Sequence, residues 1–242
     1  MVQQLGCTLD EGLLYPESDG QPMADNTKQF RWIVRVKEGI EYWMRHRPDV
    51  FVAGDLLWYP VKGDPSIRMA PDVMVVFGRP KGDRGSYLQW REEGIPPQVV
   101  FEILSPGNRF SQKLRFYERY GVEEYYIYDP DRGTLEGFIR QGENLVEIQT
   151  MQGWRSPYLG IFFDLVDGEL QLTYPDGQPF IDFSEALEQA AQARQQAEQE
   201  RQRAVQAQQE AEQERQRTAQ ERERANRLAE RLRQMGLDPD AV

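Results

Sequence analysis

Two acidic residues stand where acids are costly. Asp72 opens the β-branched run DVMVVF (72–77), and aspartate is a poor strand former. Glu102 lies inside QVVFEIL (98–104), among Val99, Val100, Phe101, Ile103 and Leu104. An ionised carboxylate in such surroundings is expensive unless it is paired or bound to a metal. Two carboxylates on neighbouring strands could share one Mg²⁺ or Mn²⁺, a hard cation that accepts a few carboxylates and keeps several waters. Water made more acidic by that cation can attack a phosphodiester. Lys113, eleven residues after Glu102, could orient that water or offset charge in the transition state. Each residue has a structural explanation when taken singly: Pro71-Asp72 as a turn dipeptide, Lys113 as a solvated helix residue. The combination, in this order, is what points to chemistry.

The elements that would position these residues follow from periodicity. Asn26 or Thr27 caps a helix predicted to run to about His46, with Phe30, Ile33, Val34, Val36, Ile40, Trp43 and Met44 at helical spacing and Pro48 ending it. Val50–Tyr59 reads as a strand with a break near Gly54, Asp72–Phe77 as a second, and Gln98–Leu104 as a third, buried and central. Residues 78–95 read as a polar Gly-rich loop whose Arg79, Lys81 and Arg84 form a local basic patch. Ser111–Tyr120 reads as a helix closed by Gly121. Glu124–Asp129 is a strand, 135–140 and 145–148 form a hairpin, and two short strands follow at 160–165 and 170–174. The order predicts an α/β domain, a mixed sheet flanked by helices.

The stretches APDVMVV (70–76), VVFEILSPGN (99–108), Lys113, Tyr117 and YGVEEYYIYDP (120–130) resemble the Uma-two family, of restriction-endonuclease type, within the PD-(D/E)XK nuclease superfamily. The resemblance covers roughly residues 20–180. It implies a restriction-endonuclease-like mixed sheet between helices, with a divalent metal, Mg²⁺ or Mn²⁺, at the strand ends and DNA as substrate. Asp72 matches the motif aspartate and Glu102 the acidic position; both would ligate the metal. The superfamily's lysine is expected two residues after Glu102, where Leu104 stands. The resemblance relocates it to Lys113 on the following helix, with Tyr117 on the same helix face. It also implies an acid from the first helix, for which Glu38 and Glu41 are both available, and Asp55 is a further candidate for the cluster.

Composition bounds the rest. The chain has 242 residues and a net charge of −11, and its single cysteine, Cys7, excludes an intrachain disulfide. An acidic chain is a poor long-range attractor for DNA, which counts against a simple nucleic-acid binding module. His46, the only histidine, has no surroundings suited to a protease triad. No signal-like start and no long apolar run occurs, which predicts a cytosolic protein without membrane contact. All aromatic residues precede Ser184. Beyond it AEQERQR recurs at 197–203 and 211–217, and a helix over 184–235 would extend ~78 Å. Alanines seven residues apart make weak coiled-coil pairing, a homo-oligomer or a protein partner through this helix the expectation. Residues 1–25 read as an irregular arm, 26–183 as the nuclease-like domain and 236–242 as a flexible end. The rival to a metal-dependent endonuclease is a non-catalytic nuclease-fold scaffold that works through the charged helix.

Overall fold

A computed structural model of the chain describes residues 7–10, 12–20, 22–105, 110–181 and 183–235, without the side chains of 110, 111, 183 and 184. The segment 236–242 lies outside the described residues. The β-branched and aromatic runs assemble into a six-stranded mixed sheet. In spatial order its strands are β10 (Asn144–Glu147), β9 (Thr134–Gln141), β8 (Glu124–Asp129), β7 (Val99–Ile103), β5 (Val73–Phe77) and β3 (Val50–Gly54). Neighbours are antiparallel except β7 and β8. Parallel neighbours require a crossover, and α2 (Phe110–Arg119) lies in that connection.

All five residues of β7 are buried, so the strand is covered on both faces. Alternation along it divides the core. Val99, Phe101 and Ile103 join Ile33, Val36 and Ile40 of α1 (Thr27–Trp43). The same layer includes Phe163, Leu170 and Leu172. These come from a small antiparallel sheet of β11 (Trp154–Arg155), β12 (Phe162–Val166) and β13 (Glu169–Thr173). Val100 faces the opposite layer, with Met74, Tyr117, Tyr125 and Trp58. Glu102, two residues on, points to that second layer and therefore to α2.

Four local expectations are corrected. Residues 1–25 hold a hairpin, β1 (Cys7–Asp10) with β2 (Leu13–Pro16). Two short strands are marginal alone; here Tyr15 is buried beside Leu57, Tyr59 and Leu88, and Trp90 and Arg91 bond Asp10. The 78–95 loop contains β6 (Tyr87–Leu88), parallel to β4 (Trp58–Tyr59), so the predicted 50–59 strand divides between two sheets at Gly54. α1 stops at Trp43 rather than at about His46, and Arg45 donates to the carbonyl of Tyr42. In the tail helix α3 (Phe183–Gln234), Glu198 and Glu212 accept from Gln202 and Gln216, each one turn on.

One buried acid serves the fold alone. Glu124, at the start of β8, accepts from Ser156 Oγ at 2.5 Å, Tyr126 OH at 2.9 Å and the Tyr158 N–H at 2.8 Å. It ties the loop before β12 to the main sheet. The chain divides into two compact units, 1–182 and 183–242. Among the described residues no helix is long and apolar enough to cross a membrane.

Candidate active site

Asp72 stands immediately before β5 and Glu102 in the neighbouring β7. The register pairs Val73 with Phe101, which sets the two acids at the same end of adjacent strands. Asp72 is 8% exposed and Glu102 1%. The backbone N–H of Ile103 donates to Asp72 Oδ2 at 2.6 Å. Both oxygens of Glu102 are engaged by α2: Tyr117 OH donates to Oε1 at 2.5 Å, and Lys113 Nζ donates to Oε2. Lys113 and Tyr117 are four residues apart, one helical turn, so a single face of α2 presents both.

The electrostatics follow from crowding. Burial, and then the negative charge of Glu102, push the Asp72 carboxyl well above the usual range; Lys113 and the Ile103 N–H only partly offset them. For Lys113 burial acts to lower the pKa, but the carboxylates of Glu102, Asp72 and Asp55 outweigh it and the ammonium is held above its ordinary value. Tyr117 is pushed far up by burial and by Glu102. It is therefore a neutral donor at any physiological pH.

α2 is itself fixed from behind. Arg140 of β9 donates to the carbonyls of Val122 and Glu118, each at 2.8 Å, and Glu118 Oε2 accepts the Leu145 N–H at 2.8 Å. Gly121, at φ 91°, ends the helix in the left-handed conformation that glycine tolerates. Trp58 lies parallel to the Tyr117 ring, centroids 6.4 Å apart.

The supporting candidates separate. Asp55 adopts φ 48°, unusual for a residue with a side chain. Its N–H is held by the carbonyls of Pro71 and Asp72, at 3.1 and 3.3 Å. Burial and Asp19 raise its pKa; Lys113 acts against them and Glu102 with them, so its charge is coupled to the site. Glu38 and Glu41 instead pair with Lys37 on α1, and neither is among the charges acting on Asp72. The first-helix residue that reaches β7 is Gln29. Its Nε2 donates to the Ile103 carbonyl at 2.8 Å and its Oε1 accepts the Asp25 N–H at 2.8 Å. Asn26, three residues earlier, caps the helix by accepting the Gln29 N–H. That N-x-x-Q spacing is the one sequence signal from which Gln29 could have been found. Arg79 and Arg84 are paired with Glu92, and Arg79 also with Glu93, so the loop patch is largely neutralised.

Two oxygen-donor carboxylates that repel one another in a buried setting suit a hard divalent cation, which would relieve the repulsion. Among the described residues no group of three or more His, Cys, Asp or Glu forms a ready-made cage. The remaining ligands of such an ion would be waters or backbone.

No curated protein sequence matches the chain. A solved structure described as "a putative nuclease belonging to DUF820 from Anabaena variabilis ATCC 29413" is similar to it at 16% identity. That match covers 62% of this chain and 81% of the other, with a TM-score of 0.41. The family model described as Uma2, "Putative restriction endonuclease", matches residues 21–161. That span contains Asp72, Glu102, Lys113 and Tyr117 and more than half of the sequence, and the chain belongs to the Uma2 family.

Proposed function

We propose that the chain is a metal-dependent endonuclease that hydrolyses phosphodiester bonds in DNA, with Asp72 and Glu102 as the cation's protein ligands and Lys113 as the positive group facing the substrate. The observation that carries this reading is the buried, mutually repelling acid pair with a lysine in contact. A purely structural core gains nothing from it, because a buried pair is a weak source of stability. Bound there, Mg²⁺ or Mn²⁺ supplies Lewis acidity toward a phosphodiester and lowers the pKa of water. The water oxygen bonds to phosphorus, the bond from phosphorus to the leaving sugar oxygen breaks, and the proton passes to that oxygen.

The chain's own residues have separate tasks in this reaction. The Ile103 N–H fixes the Asp72 carboxylate, and Tyr117 fixes Glu102 through one oxygen. Lys113 offsets the negative charge that gathers on the phosphoryl oxygens. Asp55 holds charge near the ammonium. The acidic surface of the chain means that long-range attraction to DNA contributes little, so the site works by local contacts.

The test is cleavage of plasmid and linear DNA by the full chain in Mg²⁺ and in Mn²⁺. Asp72→Ala and Glu102→Ala are each expected to lower the rate about a hundredfold or more, beyond the 10–100-fold typical of residues that merely support a metal ligand. Absence of cleavage by the wild type in both metals, or cleavage by both variants at the wild-type rate, would sink the proposal. The rival scaffold reading would then stand.

A further inference from the structure

Glu102 has a cation already. Its carboxylate is 1% exposed, and Lys113 Nζ sits on Oε2 while Tyr117 OH sits on Oε1. A divalent ion that takes Glu102 as a ligand must approach an oxygen that already holds an ammonium or a hydroxyl. The two donors differ in how easily they can leave. Tyr117 is fully buried, lies against Trp58 and Tyr125, and is neutral. Lys113 keeps 23% of its side chain exposed, carries a positive charge that repels a second cation, and has a flexible four-carbon stem.

We infer that Lys113 is the resting counter-cation of Glu102 and is exchanged for the divalent ion: metal binding at Asp72 and Glu102 expels the Lys113 ammonium from Oε2, while Tyr117 stays. The inference rests on the proposed metal-dependent activity and adds an order of events to it. Lys113 neutralises Glu102 until the metal arrives, and only then is its ammonium free to face a phosphodiester. The same exchange explains how a nearly inaccessible carboxylate can await a metal without leaving an unpaired charge in the core. It also explains why the lysine stands on α2. From there it can reach Oε2 and swing outward, whereas a residue two positions along β7 would be fixed in the strand.

Two measurements on the full-length chain test the exchange. In the first, Mn²⁺ is titrated calorimetrically into wild type, Lys113→Met, Lys113→Arg and Asp72→Ala. Removing a positive charge in contact with a ligand oxygen is expected to tighten Mn²⁺ binding by about tenfold or more. Lys113→Arg should bind like wild type, and Asp72→Ala should lose binding. In the second, wild-type lysines are acetylated briefly, with and without Mn²⁺, and Lys113 is quantified by mass spectrometry. Labelling of Lys113 is expected to rise several-fold with Mn²⁺, while Lys81 and Lys62 remain unchanged. This readout needs no variant to fold. Unchanged or weaker Mn²⁺ binding by Lys113→Met, or unchanged labelling, overturns the exchange while the metal site itself stands. If wild type binds no Mn²⁺ and labelling is also insensitive to it, the metal reading fails, and the exchange fails with it.

Discussion

Asp72 accepts the Ile103 N–H while burial and the neighbouring Glu102 hold its carboxyl well above the usual range. An asparagine there keeps the acceptor and removes the charge. In wild type, between the ordinary value of 3.8 and the raised one, the folded state binds more protons than the unfolded. Stability therefore falls as pH rises through that window. Asp72→Asn is expected to be more stable than wild type at neutral pH, with a Tm higher by a few degrees, on the order of 2–4 °C, the change that a modest gain makes in a chain of this size. The gain should shrink as pH falls through the raised pKa and be gone below 3.8. Thermal melts from pH 3 to 8 measure it, and a variant less stable than wild type at pH 7 refutes the account. The same variant should be inactive, so the acid costs stability that only function repays. This residue and Glu102 were legible in the sequence because a charged side chain in a β-branched run breaks the local pattern. Lys113 was legible only in combination with the two acids and through the family resemblance, since a lone lysine on an amphipathic helix breaks no pattern.

Helix α2 delivers both partners of Glu102, and Arg140 from β9 binds the Glu118 carbonyl in its last turn and the Val122 carbonyl just beyond it. Carbonyls of the last turn lack a following N–H in the helix, and a guanidinium also complements the negative end of the dipole. Arg140→Met keeps the apolar stem and removes the donors. It is expected to lower stability by about 1–3 kcal/mol in urea unfolding and to speed amide exchange at Tyr120 and Val122 above the other core amides. Equal exchange rates in the two proteins would show that Gly121 and the Tyr117–Glu102 contact hold the helix without help. The extent of α2 and its glycine stop follow from helical period and a left-handed cap, both local. Arg140 was not legible, because its targets lie some twenty residues away and nothing in Leu135–Arg140 says which helix packs against it.

On the scale of the whole molecule, the three core clusters are built from residues up to Phe180, while described side chains of α3 are mostly exposed. A 1–182 fragment is therefore expected to unfold cooperatively with a Tm within about 2 °C of the full chain, a shift smaller than that from 1 kcal/mol. A much lower Tm would mean that α3 contributes to the core unit. Sedimentation of the fragment beside the full chain tests the separate expectation of weak self-association through 184–235. A higher mass only for the full chain supports it, and monomers throughout at all concentrations remove it. The alanine repeat was plain in the sequence. It specifies a helix, and one small residue per heptad gives little apolar area for a partner.

The sequence by itself determined the α/β class, the buried central strand with its misplaced acid, the second acid at a strand start and the long charged helix. Each depends on period or on residue chemistry within a few positions. Tertiary structure decided which side chains meet across elements. It brought Gln29, rather than Glu38 or Glu41, to the Ile103 carbonyl. It folded the first 25 residues partly into a docked hairpin, paired the loop arginines with Glu92, and held both oxygens of Glu102 on α2. The reason is physical. Burial and helical or strand period are written locally, whereas partners between strand and helix depend on register and crossover, which only the assembled sheet fixes.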